Sequence, residues 1–163
     1  MKNAKELMLE YTAFSFRDPK KAAEMFAEDG AFELPYLATF GLPTEYRGRD
    51  AIAGFFQSVL DIYPGFKFEN TNVLIDTPDQ AFAEFEATAV SNKTGRSVHQ
   101  LFFARLVAEN GKIKLFREAL NTVEVAQAPM YRIAPDCFER IRWEVTGAFI
   151  PADSSATTGK GND

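Results

Sequence analysis

Two side chains in this sequence have the chemistry to move a proton, Glu118 and His99. A carboxyl set among aromatic rings loses the water that favours its ionised form. Its pKa then climbs towards neutrality, where it can serve as a general acid or base. Glu118 lies in the run NGKIKLFREALN, residues 110–121, with Phe116 two positions before it and Arg117 beside it. His99 is the single histidine, and imidazole changes charge in the physiological range. Each has a plainer reading. Glu118 would pair with Arg117, Arg105 or Lys114 in an ordinary ion pair, and His99 would be a half-buried, satisfied strand residue.

Other chemistries find less support. Arg47 and Arg49 in YRGRD are anion-binding candidates beside a helix start, or the surroundings of a loop-to-helix turn. The single cysteine, Cys137, excludes an internal disulfide or a thiolate metal cluster, and with no His or Asp at motif spacing it reads as inert. There is no GxSxG or GxGxxG, and the Gly-Lys in TTGKGND lacks the glycine spacing of a phosphate loop. No cluster has metal-ligand spacing, so neither metal nor cofactor is expected.

The elements that must position these residues follow from periodicity. Ala4, Leu7, Met8, Tyr11 and Phe14 give residues 3–17 a helical stripe. Asp18-Pro19 reads as an N-cap and first helical position, opening a short helix through KKAAEMFA that stops at Asp29-Gly30. AFEL, 31–34, is a short strand candidate, followed by an aromatic loop, 35–48, with Tyr36, Phe40 and Tyr46. Ile52, Phe55, Phe56, Val59 and Leu60 mark the clearest helix, with Asp50 as its expected cap and Pro64-Gly65 as its end. Four strands are then expected at 66–76, 80–91, 96–109 and 112–123, the last pair joined by Asn110-Gly111, a type I′ turn signal.

That hairpin gives a register. A two-residue turn sets Glu109 opposite Lys112 and, with an unbroken ladder, Glu118 opposite Phe103. Alternation then places Glu118 on one face with Phe116, His99, Leu101, Phe103 and Arg105. A four-residue loop at 92–95 adds Phe82, Glu84 and Glu86 to that face, although a one-residue slip there would reverse the two glutamates. Arg117 falls on the other face, with Ala81, Ala83, Phe85, Phe102 and Ala104. Aromatic rings around a few titratable groups describe a small-molecule pocket. Both faces are largely apolar, so a face not covered by helices predicts a homodimer through the sheet.

Bulk properties agree. The 163 residues suit one domain, assigned to 1–150, before a small, polar tail at 151–163 expected to be disordered. A net charge of -5 argues against nucleic acid and anionic membranes as partners. The start MKNAKELMLEY has no uninterrupted apolar core and no run approaches membrane-spanning length, so a cytoplasmic protein is expected. PDCFERIRWEV reads as a short helix or an edge strand.

YRGRDAIAGFF, the four-strand meander and ENGKIKLFREALN together resemble the SnoaL-like group of the nuclear-transport-factor-2-like superfamily over residues 4–127, most nearly its phenazine-biosynthesis A/B proteins. The resemblance implies an α+β, cone-shaped, cystatin-like barrel: a curved antiparallel sheet wrapped around N-terminal helices, enclosing a pocket. It also implies a pocket acid/base at Glu118. Where the phenazine proteins carry a histidine in the helix after GRD, this chain has Phe55, which leaves the reaction open and His99 as an assisting group. The expected ligand is a small hydrophobic or aromatic molecule, lined by Tyr36, Phe55, Leu101, Phe103 and Phe116. Either of two functions follows: cofactor-independent isomerisation, cyclisation or condensation, or ligand binding or assembly without turnover.

Overall fold

The computed structural model describes residues 1–127. Cys137, the 129–150 segment, the domain boundary at 150 and the tail from 151 lie outside the described residues.

The first helix, α1 (Ala4–Phe14), begins at a capping box in which Asn3 accepts from the Glu6 amide and Glu6 returns the bond to Asn3. Its stripe of Ala4, Leu7, Met8 and Tyr11 is fully buried against the sheet. Asp18 caps α2 (Pro19–Glu24) as expected. The helix stops earlier than Asp29-Gly30, however, because the chain is captured by strand pairing. The Ile113 amide donates to the Met25 carbonyl at 2.9 Å, and β1 runs from Phe26 to Glu33. The 35–48 segment holds a 3-10 helix, Pro35–Phe40, and the short strand β2 (Glu45–Arg47).

Next comes α3 (Arg49–Ile62), whose Ile52 and Phe56 are buried and whose Phe55, Val59 and Leu60 pack on the core. Its N-cap is Gly48 at φ 81°, with no side-chain cap, so Asp50 sits in the first turn instead of capping. The meander follows as β3 (Glu69–Asp76), β4 (Gln80–Val90), β5 (Ser97–Glu109) and β6 (Lys112–Ala119). Strand order is β2-β1-β6-β5-β4-β3, an open sheet in which β1 lies parallel to β6 and β2 antiparallel to β1. Asn110 and Gly111 both have positive φ, as a type I′ turn requires. The last strand ends at Ala119 because Gln100 takes over its pairing. The Gln100 carboxamide donates to the Asn121 carbonyl at 3.0 Å and accepts from the Asn121 amide at 3.1 Å. The Asn121 side chain then accepts from the Val123 amide, and α4 (Thr122–Gln127) begins.

One irregularity decides which way the last strand faces. Glu109 pairs with Lys112 and Ala108 with Ile113, as expected, but then Val107 pairs with Leu115. Lys114 is the extra residue of a β-bulge, and beyond it every pairing moves by one: Glu118 lies opposite Ala104, not Phe103. Opposite the bulge, β1 uses the four residues 27–30 between its pairings to Ile113 and Leu115. Gly30 is needed there, since a Cβ would stand 2.8 Å from the Ile113 carbonyl oxygen. Among the described residues, no helix is long and apolar enough to cross a membrane.

Candidate functional site

The slip in β6 reverses the expected faces after Lys114. β4 and β5 keep theirs: Ala81, Ala83, Phe85, Ala87, Gln100, Phe102, Ala104 and Leu106 are buried, and Phe82, Thr88, His99, Leu101, Phe103 and Arg105 are exposed. Ile113, Phe116 and Glu118 join the buried set, while Arg117 turns outward to bind Glu33 of β1 at 2.5 Å. The expectation that Glu118 shares a face with His99, Leu101 and Phe103 is therefore corrected. His99 points away from Glu118, with its Nδ1 3.1 Å from the Thr88 hydroxyl. Phe103, 38% exposed, stacks on Phe82 across the outer face, with centroids 6.2 Å apart. Leu101 is exposed on the same side.

Glu118 faces the helices, 4% exposed. Burial lifts its carboxyl from the ordinary range to about 8, and Oε2 has no hydrogen-bond partner. Phe116, two residues back on the same face, lies under the Tyr11 ring of α1 at 4.1 Å between centroids. Tyr11 belongs to the same neighbourhood. Burial raises its phenol well above the ordinary value, and the nearby Glu118 charge raises it further. The Ser15 hydroxyl, one turn along and fully buried, approaches the Tyr11 phenol and draws it part of the way back down. The two hydroxyls face each other without reaching ordinary hydrogen-bond geometry. An unsatisfied buried polar group costs about 1–3 kcal/mol. Glu118 Oε2 is such a group.

Tyr11 and Ser15 were missed in the sequence, although a signal exists. Residues 4, 7, 8, 11 and 15 form one helical stripe, and Ser15 is a hydroxyl set in an otherwise core-facing row. The remaining expected lining divides. Phe116 is buried beside Glu118. Phe55 is half-buried against Tyr46 at 4.5 Å and Phe32 at 5.1 Å, and Phe32 stacks on Phe116 at 5.6 Å. Aromatic rings thus run from the edge strand to the carboxyl. Tyr36, in the 3-10 helix, is 57% exposed and its side chain lies largely at the surface.

Arg47 and Arg49 hold backbone. Arg49 Nε donates to the Phe26 carbonyl at 3.0 Å, Arg47 Nη1 to the Asp29 carbonyl at 3.3 Å, and the Gly48 amide to the Gly30 carbonyl at 2.8 Å. The RGR run grips the irregular part of β1 that faces the β6 bulge. Glu84 and Glu86 lie on the outer side, where Asn72 and Asn70 donate to them. Among the described residues, no group of three or more His, Cys, Asp and Glu gathers as a metal site. Among the described residues, surface clefts of about 380 and 270 Å³ lie at the Lys2–Gly111 end and beside Phe82 and Arg105, and Glu118 lines neither of these.

A model of the SnoaL-like domain family matches residues 9–116. None of the curated proteins matches the chain significantly. Among solved structures, the chain is similar to a phenazine biosynthesis-related protein from Pseudomonas aeruginosa, with 24% identity and a TM-score of 0.67 over 81% of this chain and 90% of that one. A candidate isomerase from Bacillus subtilis shows 24% identity and a TM-score of 0.68, covering 77% and 91%. A candidate polyketide cyclase from Xanthomonas campestris shows 21% identity and a TM-score of 0.66, covering 77% and 96%. At these identities, the likeness is one of fold.

Proposed function

The chain belongs to the SnoaL-like family, and from that premise we propose that it takes a small hydrophobic or aromatic molecule on the helix-covered side of its sheet and moves a proton on it with Glu118. The observation that carries this reading is the buried Glu118 carboxyl, lifted to about 8, with an oxygen left unpaired among aromatic rings. A group with that pKa exchanges protons readily in both directions near neutral pH. As a carboxylate it takes a proton from a carbon beside a carbonyl, and the C–H electron pair passes onto the carbonyl oxygen to form an enolate. As the acid it returns the proton at the same or a conjugated carbon, giving exchange or isomerisation. At pH 7 about one molecule in ten holds the ionised form. Proton abstraction is therefore expected to speed up with pH and level off above about 8. His99 takes no part, because it faces the other side of the sheet.

The test is solvent deuterium exchange at the activated carbon of 2-tetralone, an uncharged aromatic ketone, followed by NMR. The wild type is expected to accelerate exchange, and Glu118→Gln to lose at least about a hundredfold of that acceleration. Equal rates in the two proteins would contradict the acid/base role.

The outer face supports a proposal for assembly. Phe82, Leu101 and Phe103 stand exposed on the side that carries no helix among the described residues, and we assign that face to a homodimer contact.

A further inference from the structure

The arginines of the sheet divide by what neutralises them. Arg47 pairs with Glu45 and Arg117 with Glu33, whereas Arg105, on the outer face, has no carboxylate partner among the described residues. Its guanidinium is held by a neutral acceptor: Nε and Nη2 donate to Gln80 Oε1 at 3.0 and 2.7 Å. Gln80 thus fixes the plane of the fork and leaves the Nη1–Nη2 edge open. That edge takes a carboxylate through two parallel hydrogen bonds. Glu84 lies opposite Phe103, two residues from Arg105, on a diagonal that long side chains span. Yet Asn72 donates to Glu84 at 3.2 Å, and the guanidinium stays turned to Gln80. The acids of the adjoining turn are engaged too, Asp76 by Lys5 and Asp79 by the Thr77 hydroxyl.

The same arginine lines the outer cleft of about 270 Å³, together with Ile75, Thr77, Gln80, Ala81 and Phe82. Phe82 is the cross-strand neighbour of Arg105, and Ile75 stands exposed on β3, so an apolar wall adjoins the guanidinium. We propose that this cleft is a second binding site, one for small carboxylic acids. The carboxylate meets the open edge of Arg105, and a single ring or a short apolar chain lies against Ile75 and Phe82. Clefts for drug-sized ligands start at about 300 Å³, so the body is held to about one ring. The site lies on the opposite side of the sheet from Glu118 and does not depend on the acid/base reading. It shares Phe82 with the proposed dimer contact, while Leu101 and Phe103 do not line it.

The experiment is an NMR shift titration of the full chain at about pH 7.5 with benzoate and benzamide, two probes of one shape that differ in charge. The wild type is expected to bind benzoate about three- to tenfold more tightly, the range for a charge-assisted pair that stays partly hydrated. The shifts should gather at the amides of Ile75, Ala81, Phe82 and Arg105. Arg105→Gln should remove the advantage of benzoate and leave benzamide binding unchanged. Arg105→Lys, which keeps the charge without the fork, should retain part of that advantage. Arg105 is exposed, so both variants are expected to fold. Equal binding of the two probes, a benzoate preference that survives Arg105→Gln, or shifts gathered at Phe116 and Glu118 would overturn the inference. Sedimentation separates the other source of a carboxylate. If Arg105→Gln dissociates a wild-type dimer that gives no benzoate shifts, Arg105 serves a second copy and the small-acid site is overturned.

Discussion

A carboxyl that keeps its proton near neutral pH leaves a mark on the stability of the whole fold. In the unfolded chain Glu118 titrates near its ordinary value of 4.5, and in the fold at about 8. Between those values the native state binds more protons than the unfolded state, so stability falls as pH rises. It is fully present below about 4.5, declines by at most about 1.4 kcal/mol per pH unit, and levels off above about 8. Tyr11 is the titratable group that faces Glu118 from α1. The facing β5 residues Gln100, Phe102 and Ala104 carry no charge, and Arg117 and Glu33 pair outside. Glu118→Gln removes this penalty. Thermal unfolding of the two proteins should therefore diverge with pH, the variant gaining steadily between pH 5 and 8. Parallel curves would contradict a buried, proton-holding Glu118.

At the scale of elements, the site depends on irregular places in the strands. The extra Lys114 in β6 puts both Ile113 and Phe116 on the core, and it faces the four-residue excursion of β1 gripped by Arg47, Gly48 and Arg49. Gly30→Ala places a methyl group against the Ile113 carbonyl, where backbone surrounds it, and should cost about 1–3 kcal/mol by denaturant unfolding. Full stability in that variant would mean the strands part there without loss. Much of this architecture was legible: the α1 stripe, the Asp18 cap, the α3 stripe, the Asn110-Gly111 hairpin and the facing of β4 and β5 follow from periodicity and turn chemistry. The facing of Glu118 was not, because a bulge absorbs one residue and alternation inverts beyond it. Adjacent Leu115 and Phe116 were the available warning, since two neighbouring apolar residues break a period of two. The start of β1 at Phe26 was also hidden, because pairing with a strand 87 residues away overrode a local helix stop.

For the molecule as a whole, the sheet separates two chemistries. One side joins helices, rings and the buried Tyr11, Ser15 and Glu118, and the other displays Phe82, Leu101 and Phe103 among charges. If the outer side joins two copies, Phe103→Glu should shift sedimentation equilibrium from dimer to monomer while leaving Glu118 titration unchanged, since the two residues face opposite ways. A wild type that sediments as a monomer would contradict the assembly proposal.

The claim on which the account turns is that β6 aims Glu118 into the interior as a proton-holding acid. The most direct measurement is a carbon-13 NMR titration of the glutamate side-chain carboxyls, with Glu118→Gln identifying the resonance. The account predicts a midpoint for Glu118 at about 8, far from the ordinary carboxylate range. A midpoint near 4.5, the ordinary value, would contradict it.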